Sequence, residues 1–129
     1  MTEAGATLSL RALRLVLVAH CGTLLVQSVL AGEFLSGSDG VVKFHEWNGW
    51  SILILCALQI ALTVLAMQSG SASWSLLIGG VFVMLAEVLQ IGTGYGRFLP
   101  VHIPLGVIAF GAVLLQTMSI FRRAQVRQK

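Results

Sequence analysis

Four long apolar stretches follow one another along the chain, with short polar segments between them. They lie at residues 10–31, 45–67, 74–91 and 101–120. Each is close to the roughly 20 residues that an α-helix needs to cross the hydrocarbon core of a bilayer. They are rich in Leu and Ala and lack the period-two alternation of a membrane β-strand. The pattern predicts an all-α protein, a membrane-embedded four-helix bundle in which residues 1–129 form a single domain.

Composition places the chain among membrane proteins. Hydrophobic residues make up 57% of it and charged residues only 10%, whereas a soluble domain carries about a quarter charged residues. The net charge of +3 comes mainly from basic residues at the start of the first apolar stretch and after the last one: Arg11, Arg14, Arg122, Arg123, Arg127 and Lys129. Basic residues favour the cytoplasmic side, so both termini are expected in the cytoplasm of a multi-pass plasma-membrane protein. The positive charge favours contact with anionic lipid in the bilayer, and we expect no nucleic-acid partner.

The two halves of the chain resemble each other. They share a glutamine, a histidine and a glycine in the same order: Gln27, His45 and Gly49 in the first half, and Gln90, His102 and Gly106 in the second. The spacing predicts two pseudo-repeated helical hairpins of the same orientation, related by a pseudo-twofold axis along the membrane normal. Short connections make neighbouring helices antiparallel, so the second and fourth helices should lie diagonally opposite.

His45 and His102 each open an apolar stretch and should therefore lie at one depth, just below the outer surface. Two facing imidazoles at one depth are what a six-coordinate haem iron requires. The pattern favours axial ligation of haem b by these residues, and the alternative is that both histidines cap helix starts at the interface. Gly49 and Gly106, one turn deeper, either admit the flat macrocycle or let the helices approach closely.

Lys43 and Arg97 are the basic residues of the two predicted outer segments, one in each. Both are placed to pair with the propionates of a haem held near that face. The alternative is that both are ordinary solvated loop charges.

Some polar residues lie inside the apolar stretches. His20 and Gln59 are estimated to lie at comparable depth, so the imidazole either bonds to Gln59 or to backbone, or ligates a second metal or haem. Glu87 is a carboxylate well inside the third stretch and must be protonated, hydrogen-bonded or beside a polar cavity. It suits a proton donor or a partner for a ligand histidine. Cys21 and Cys56 are expected to be buried, unreactive thiols, and the alternative is that they form a redox pair.

The residues Gln27–Gly32 followed by His45, and Gln90 followed by His102, resemble one four-helix half of heme A synthase. That family consists of two four-helix bundles with paired histidines near the outer ends of the second and fourth helices. The resemblance implies haem b binding by His45 and His102. It does not extend to the family's acidic residue three positions before the histidine, because Val42 stands there. The chain is also similar to small, uncharacterised four-span bacterial membrane proteins.

These observations predict a small cytochrome b-like membrane protein that transfers electrons or handles haem or redox state near the outer face. Its partner would be a quinol or another redox membrane protein, and the sequence assigns no catalytic residue. One alternative is an accessory or assembly subunit of a larger membrane complex, or a homo-oligomer. A small proton-coupled exporter using Glu87 ranks last, because the carboxylate lies in the third span.

Overall fold

A computed structural model describes the backbone of residues 3–126 and the side chains of residues 4–122. The described chain consists of four α-helices and one short 3-10 turn, Asp39–Val41. The helices are α1 (Glu3–Leu35), α2 (Val42–Gln68), α3 (Trp74–Tyr95) and α4 (Leu99–Val126). All four are long and apolar enough to cross a membrane, which confirms the all-α, multi-pass prediction. Arg127 and Lys129, used in the charge argument, lie outside the described residues, as does the side chain of Arg123.

The helices run beyond the apolar stretches, and tight turns join them. The α1 helix begins seven residues before the first stretch, at Glu3, because the preceding residues include helix-favouring alanine and leucine. Gly37 and Gly70 have φ of 98° and 67°, a left-handed conformation that glycine adopts without strain. These turns reverse the chain after α1 and after α2.

The helices form a ring in which each contacts the next and α4 closes on α1. Among the described residues, backbones of the diagonal pairs α1/α3 and α2/α4 do not approach each other. The second and fourth helices are therefore diagonally opposite, as the short connections predict. We call the end of the bundle that carries residues 36–41 and 96–98 the histidine end.

The internal repeat extends beyond the sequence motifs to the buried positions of the helices. Those of α2 recur in α4 after 57 residues: Ile52 and Ala109, Cys56 and Val113, Gln59 and Gln116, and Thr63 and Ile120. Those of α1 recur in α3 after 63 residues: Leu13 and Leu76, Leu17 and Gly80, His20 and Val83, and Leu24 and Glu87. The two hairpins therefore bury equivalent faces.

The core has two apolar clusters with polar side chains between them. One cluster contains Leu13, Leu17, Ala66, Leu76 and Ile120, and the other contains Leu24, Ile52, Cys56, Val83 and Val113. His20, Gln59 and Gln116 fall between the two clusters along their helices, and all three are buried. The outward faces keep large apolar side chains exposed, for example Phe82 and Leu115. Such a surface suits contact with lipid tails rather than with water.

Candidate functional site

His45 and His102 reach towards each other across the diagonal between α2 and α4. Their ring centroids are 6.1 Å apart, and the ring planes are inclined by 55°. Both side chains are half-buried, and both residues lie in the first turns of their helices at the histidine end. The structure thus brings the two repeat-equivalent histidines together at one level of the bundle.

His102 is oriented by the end of α3. Its Nδ1 lies 2.9 Å from the backbone carbonyl oxygen of Gln90. A carbonyl oxygen only accepts hydrogen bonds, so Nδ1 carries the proton and donates it, which leaves a lone pair on Nε2. Gly94 packs against the ring, and a Cβ atom there would come within 2.9 Å of Cε1 of His102. The missing side chain at position 94 makes room for the imidazole.

His45 is held by the side chain of Gln27 on α1. The Gln27 Nε2 group donates to Nε2 of His45 at 3.2 Å and to its backbone carbonyl oxygen at 3.0 Å. Asn48 donates in turn to Oε1 of Gln27 at 2.7 Å and to the carbonyl oxygen of Thr23 at 2.9 Å. Because Nε2 of His45 accepts, its proton sits on Nδ1. That nitrogen is buried and has no hydrogen-bond partner among the described residues.

The two glycines of the repeat each lie against a glutamine side chain of the preceding helix. A Cβ atom on Gly49 would lie 3.3 Å from Nε2 of Gln27, and one on Gly106 would lie 2.8 Å from Nε2 of Gln90. Each glycine therefore makes space for the glutamine of the preceding helix, in the same way in both hairpins. The glutamines, which the sequence marks only as repeat members, are thus close to the histidine-bearing turns.

The polar residues around the histidine end lie on its surface. The Nζ atom of Lys43 is 5.3 Å from the centroid of the Trp47 ring, a cation–π distance. Arg97 is exposed and has a left-handed φ of 53°. The Tyr95 hydroxyl donates to Oε1 of Glu46, which joins the end of α3 to the start of α2.

A second polar group lies deeper, and all four helices contribute to it. Nδ1 of His20 lies 2.9 Å from Oε1 of Gln59, and Nε2 lies 2.7 Å from Oε1 of Glu87. The Gln59 amide donates onward to Oε1 of Gln116 at 2.6 Å. The three intramembrane residues that the sequence singled out thus share one hydrogen-bonded chain, which Gln116 extends.

The directions of these hydrogen bonds follow from the chemistry of the groups. The amide oxygen of Gln59 only accepts, so Nδ1 of His20 must carry a proton. One further proton lies between Nε2 of His20 and Glu87, either on the carboxyl group or on the ring. In both arrangements the pair has no net charge, which greatly lowers the free energy needed to place a carboxylate inside a membrane bundle.

Cys56 joins this deep group, as sequence reasoning did not foresee. Its side chain is fully buried, and Sγ lies 3.7 Å from the carbonyl oxygen of Gly80. One potential ligand atom from each of His20, Cys56 and Glu87 lies within 4.8 Å of those of the other two. Cys21 is half-buried, so the prediction that both cysteines are buried is wrong for this residue, and both thiols are free in the described chain.

Comparisons with protein families, with curated proteins and with solved structures find no match for this chain. The resemblance to heme A synthase stays a prediction, and the functional inference rests on the geometry of the two polar sites.

Proposed function

We propose that the chain is a small integral-membrane haem b protein, with His45 and His102 as the two axial ligands. The spacing of the two rings carries the proposal. A bond from metal to imidazole nitrogen is about 2 Å long, and the nitrogen lies about 1 Å from its ring centroid. Two imidazoles on opposite sides of one iron therefore have centroids about 6 Å apart. The observed separation is 6.1 Å.

The hydrogen bonds of His102 suit this role. Donation from Nδ1 to the Gln90 carbonyl fixes the tautomer and leaves Nε2 free to bind a metal. In metal-binding histidines, the ring nitrogen that does not bind the metal usually donates a hydrogen bond of this kind. The ring also cannot move towards α3, because Gly94 already lies against it.

His45 can serve as the second iron ligand after one change in its hydrogen bonds. Coordination through Nε2 requires the Gln27 amide to release its 3.2 Å contact, while its 3.0 Å bond to the His45 carbonyl can remain. The amide then still has one acceptor, and Asn48 still holds its oxygen. The contact that is lost is the longer of the two. The residues present therefore fit a bis-histidine haem.

A haem b with two histidine ligands supplies one-electron transfer and has no open iron position. The residues of the chain orient the imidazoles and offer Lys43 and Arg97 for the propionates. With both termini in the cytoplasm of a plasma-membrane protein, the histidine end faces outward. There it can exchange electrons with a quinol or with another redox membrane protein.

The test is a visible spectrum of the protein purified in mild detergent without added haem, recorded oxidised and after dithionite. We expect a sharp Soret band and resolved α and β bands on reduction. His45→Ala and His102→Ala should each abolish this spectrum. The matched controls Phe44→Ala and Ile103→Ala replace exposed neighbours and should keep it. A folded, colourless protein that takes up no added hemin would contradict the proposal and favour an accessory subunit of a larger complex.

A further inference from the structure

We propose that the deep polar group is a second ligand site, a divalent transition-metal site formed by His20, Cys56 and Glu87. It does not depend on haem binding at the histidine end, because it uses different residues from a different level of the bundle. Within residues 4–122, this is the one group of three or more histidine, cysteine or acidic side chains that could hold an ion.

The three donor atoms already lie close to the spacing that a metal needs. Bonds of about 2.0 Å to nitrogen or oxygen and about 2.3 Å to sulfur put tetrahedral ligand atoms about 3–4 Å apart. The atoms here all lie within 4.8 Å of one another, so shifts of about 1 Å complete the site. The 2.7 Å contact between Nε2 of His20 and Oε1 of Glu87 would open as the ion replaces the shared proton.

An unpaired atom in the same place points to a ligand. Oε2 of Glu87 is buried, and within the described part of the chain it has no hydrogen-bond partner. The residue is only 3% exposed. A buried acceptor left without a partner costs about 1–3 kcal/mol, and a bound cation would satisfy it. The hydrogen bond between His20 and Glu87 uses the other oxygen, Oε1, and leaves this one available.

The surroundings orient the histidine as a metal-binding histidine is usually oriented. Gln59 accepts from Nδ1 of His20 and so directs Nε2 towards Glu87 and Cys56. Gln59 is itself fixed by its 2.6 Å bond to Gln116. Contacts of this kind set the tautomer and the ring orientation of ligand histidines.

The charges also balance. Binding of M²⁺ would displace the thiol proton of Cys56 and the proton shared by His20 and Glu87, and both protons would leave to solvent. A divalent ion with one thiolate, one carboxylate and one neutral imidazole has no net charge, which suits a hydrocarbon setting. The sulfur, nitrogen and oxygen donors favour Zn²⁺ over Mg²⁺ and Ca²⁺, which prefer oxygen alone.

The experiment uses the full chain in mild detergent, treated with a chelator and then dialysed against Zn²⁺ or Co²⁺. We expect one Zn²⁺ per chain, and with Co²⁺ a thiolate-to-cobalt charge-transfer band. Cys56→Ser, a change of one atom, should weaken Zn²⁺ binding at least about 100-fold and remove the band. Cys21→Ser, the matched control at the other cysteine, should change neither.

Gln59→Leu tests the orienting contact, because it keeps all three ligands. We expect Zn²⁺ affinity to fall about 10–100-fold while the cobalt charge-transfer band persists at saturation with a shifted position. Unchanged affinity and an unchanged band would show that Gln59 does not orient the ligand.

Wild-type protein that binds no more Zn²⁺ than Cys56→Ser, or Co²⁺ that binds without the thiolate band, would overturn the proposal and leave a proton-sharing cluster only. If Cys56→Ser does not fold, the cobalt spectrum of the wild type decides by itself. His45→Ala should keep Zn²⁺ binding, so failure of the haem proposal and failure of this one give different results.

Discussion

Replacing Gln59 with leucine leaves two buried groups without their hydrogen-bond partners. The amide of Gln59 accepts from Nδ1 of His20 and donates to Oε1 of Gln116. Gln116→Leu, in contrast, leaves only the Nε2 group of Gln59 unpaired. The double variant loses both amides and leaves only Nδ1 of His20 unpaired, so it should be more stable than Gln59→Leu alone.

The loss of unfolding free energy in each variant follows from the number of buried polar groups left unpaired. Hydrogen bonds inside membrane bundles contribute about 0.6 kcal/mol on average and about 1.7 kcal/mol at most. We therefore expect Gln59→Leu to lower the free energy of unfolding by about 1–2 kcal/mol and Gln116→Leu by about half as much. The double variant should lose about as much stability as Gln116→Leu alone. Its loss is then about 1–2 kcal/mol smaller than the sum of the two single losses, and this difference is the coupling between the two sites.

Unfolding by sodium dodecyl sulfate in mixed micelles measures these differences, with fluorescence of the tryptophans as the signal. Gln68→Leu is a suitable control, since Gln68 is an exposed glutamine at the end of the same helix and should change little. Additivity of the two substitutions within about 0.5 kcal/mol would refute the assigned hydrogen-bond chain. A double variant less stable than Gln59→Leu would refute it as well.

Two further changes test the histidine end. Gly94→Leu puts a side chain where a Cβ atom already comes within 2.9 Å of the His102 ring, whereas a Cβ atom on Gly92 meets no described atom within 4 Å. We expect the first to abolish the haem spectrum and Gly92→Leu to preserve it; equal spectra would show that the ring is not confined by α3. Asn48→Leu leaves Oε1 of Gln27 unpaired and should lower stability in the detergent titration by about 1 kcal/mol and speed haem loss. An unchanged midpoint would contradict the Asn48 contacts.

The number of helices and their order around the bundle could be predicted, since both depend on the length of apolar runs and of the connections. The helix ends could not, because α1 extends to Glu3 through residues outside the apolar run. The approach of His45 and His102 followed from the repeat and from the diagonal placement that antiparallel neighbours impose. Whether haem binds between them stays a prediction.

The deep polar group shows which contacts cannot be predicted from the depth of a residue alone. His20 and Gln59 could be matched, since counting residues along a helix estimates depth. The contacts with Glu87 and Cys56 depend also on how each helix is rotated about its axis, which no count supplies. Gln116 could have been predicted from the repeat, because it follows Gln59 by the same 57 residues that separate the two histidines. The glutamines beside Gly49 and Gly106 depend on side-chain rotamers, which the pattern does not encode.

The placement of His20 and Glu87 makes the two hairpins non-interchangeable. Their equivalents in the other hairpin are Val83 and Leu24, which are apolar. Two copies of the first hairpin would face each imidazole with leucine, and two copies of the second would face each carboxylate with valine. Only an association of unlike halves pairs the acid with the base. A hairpin that began as one half of a symmetric dimer would thus be committed, by these two substitutions, to an unlike partner.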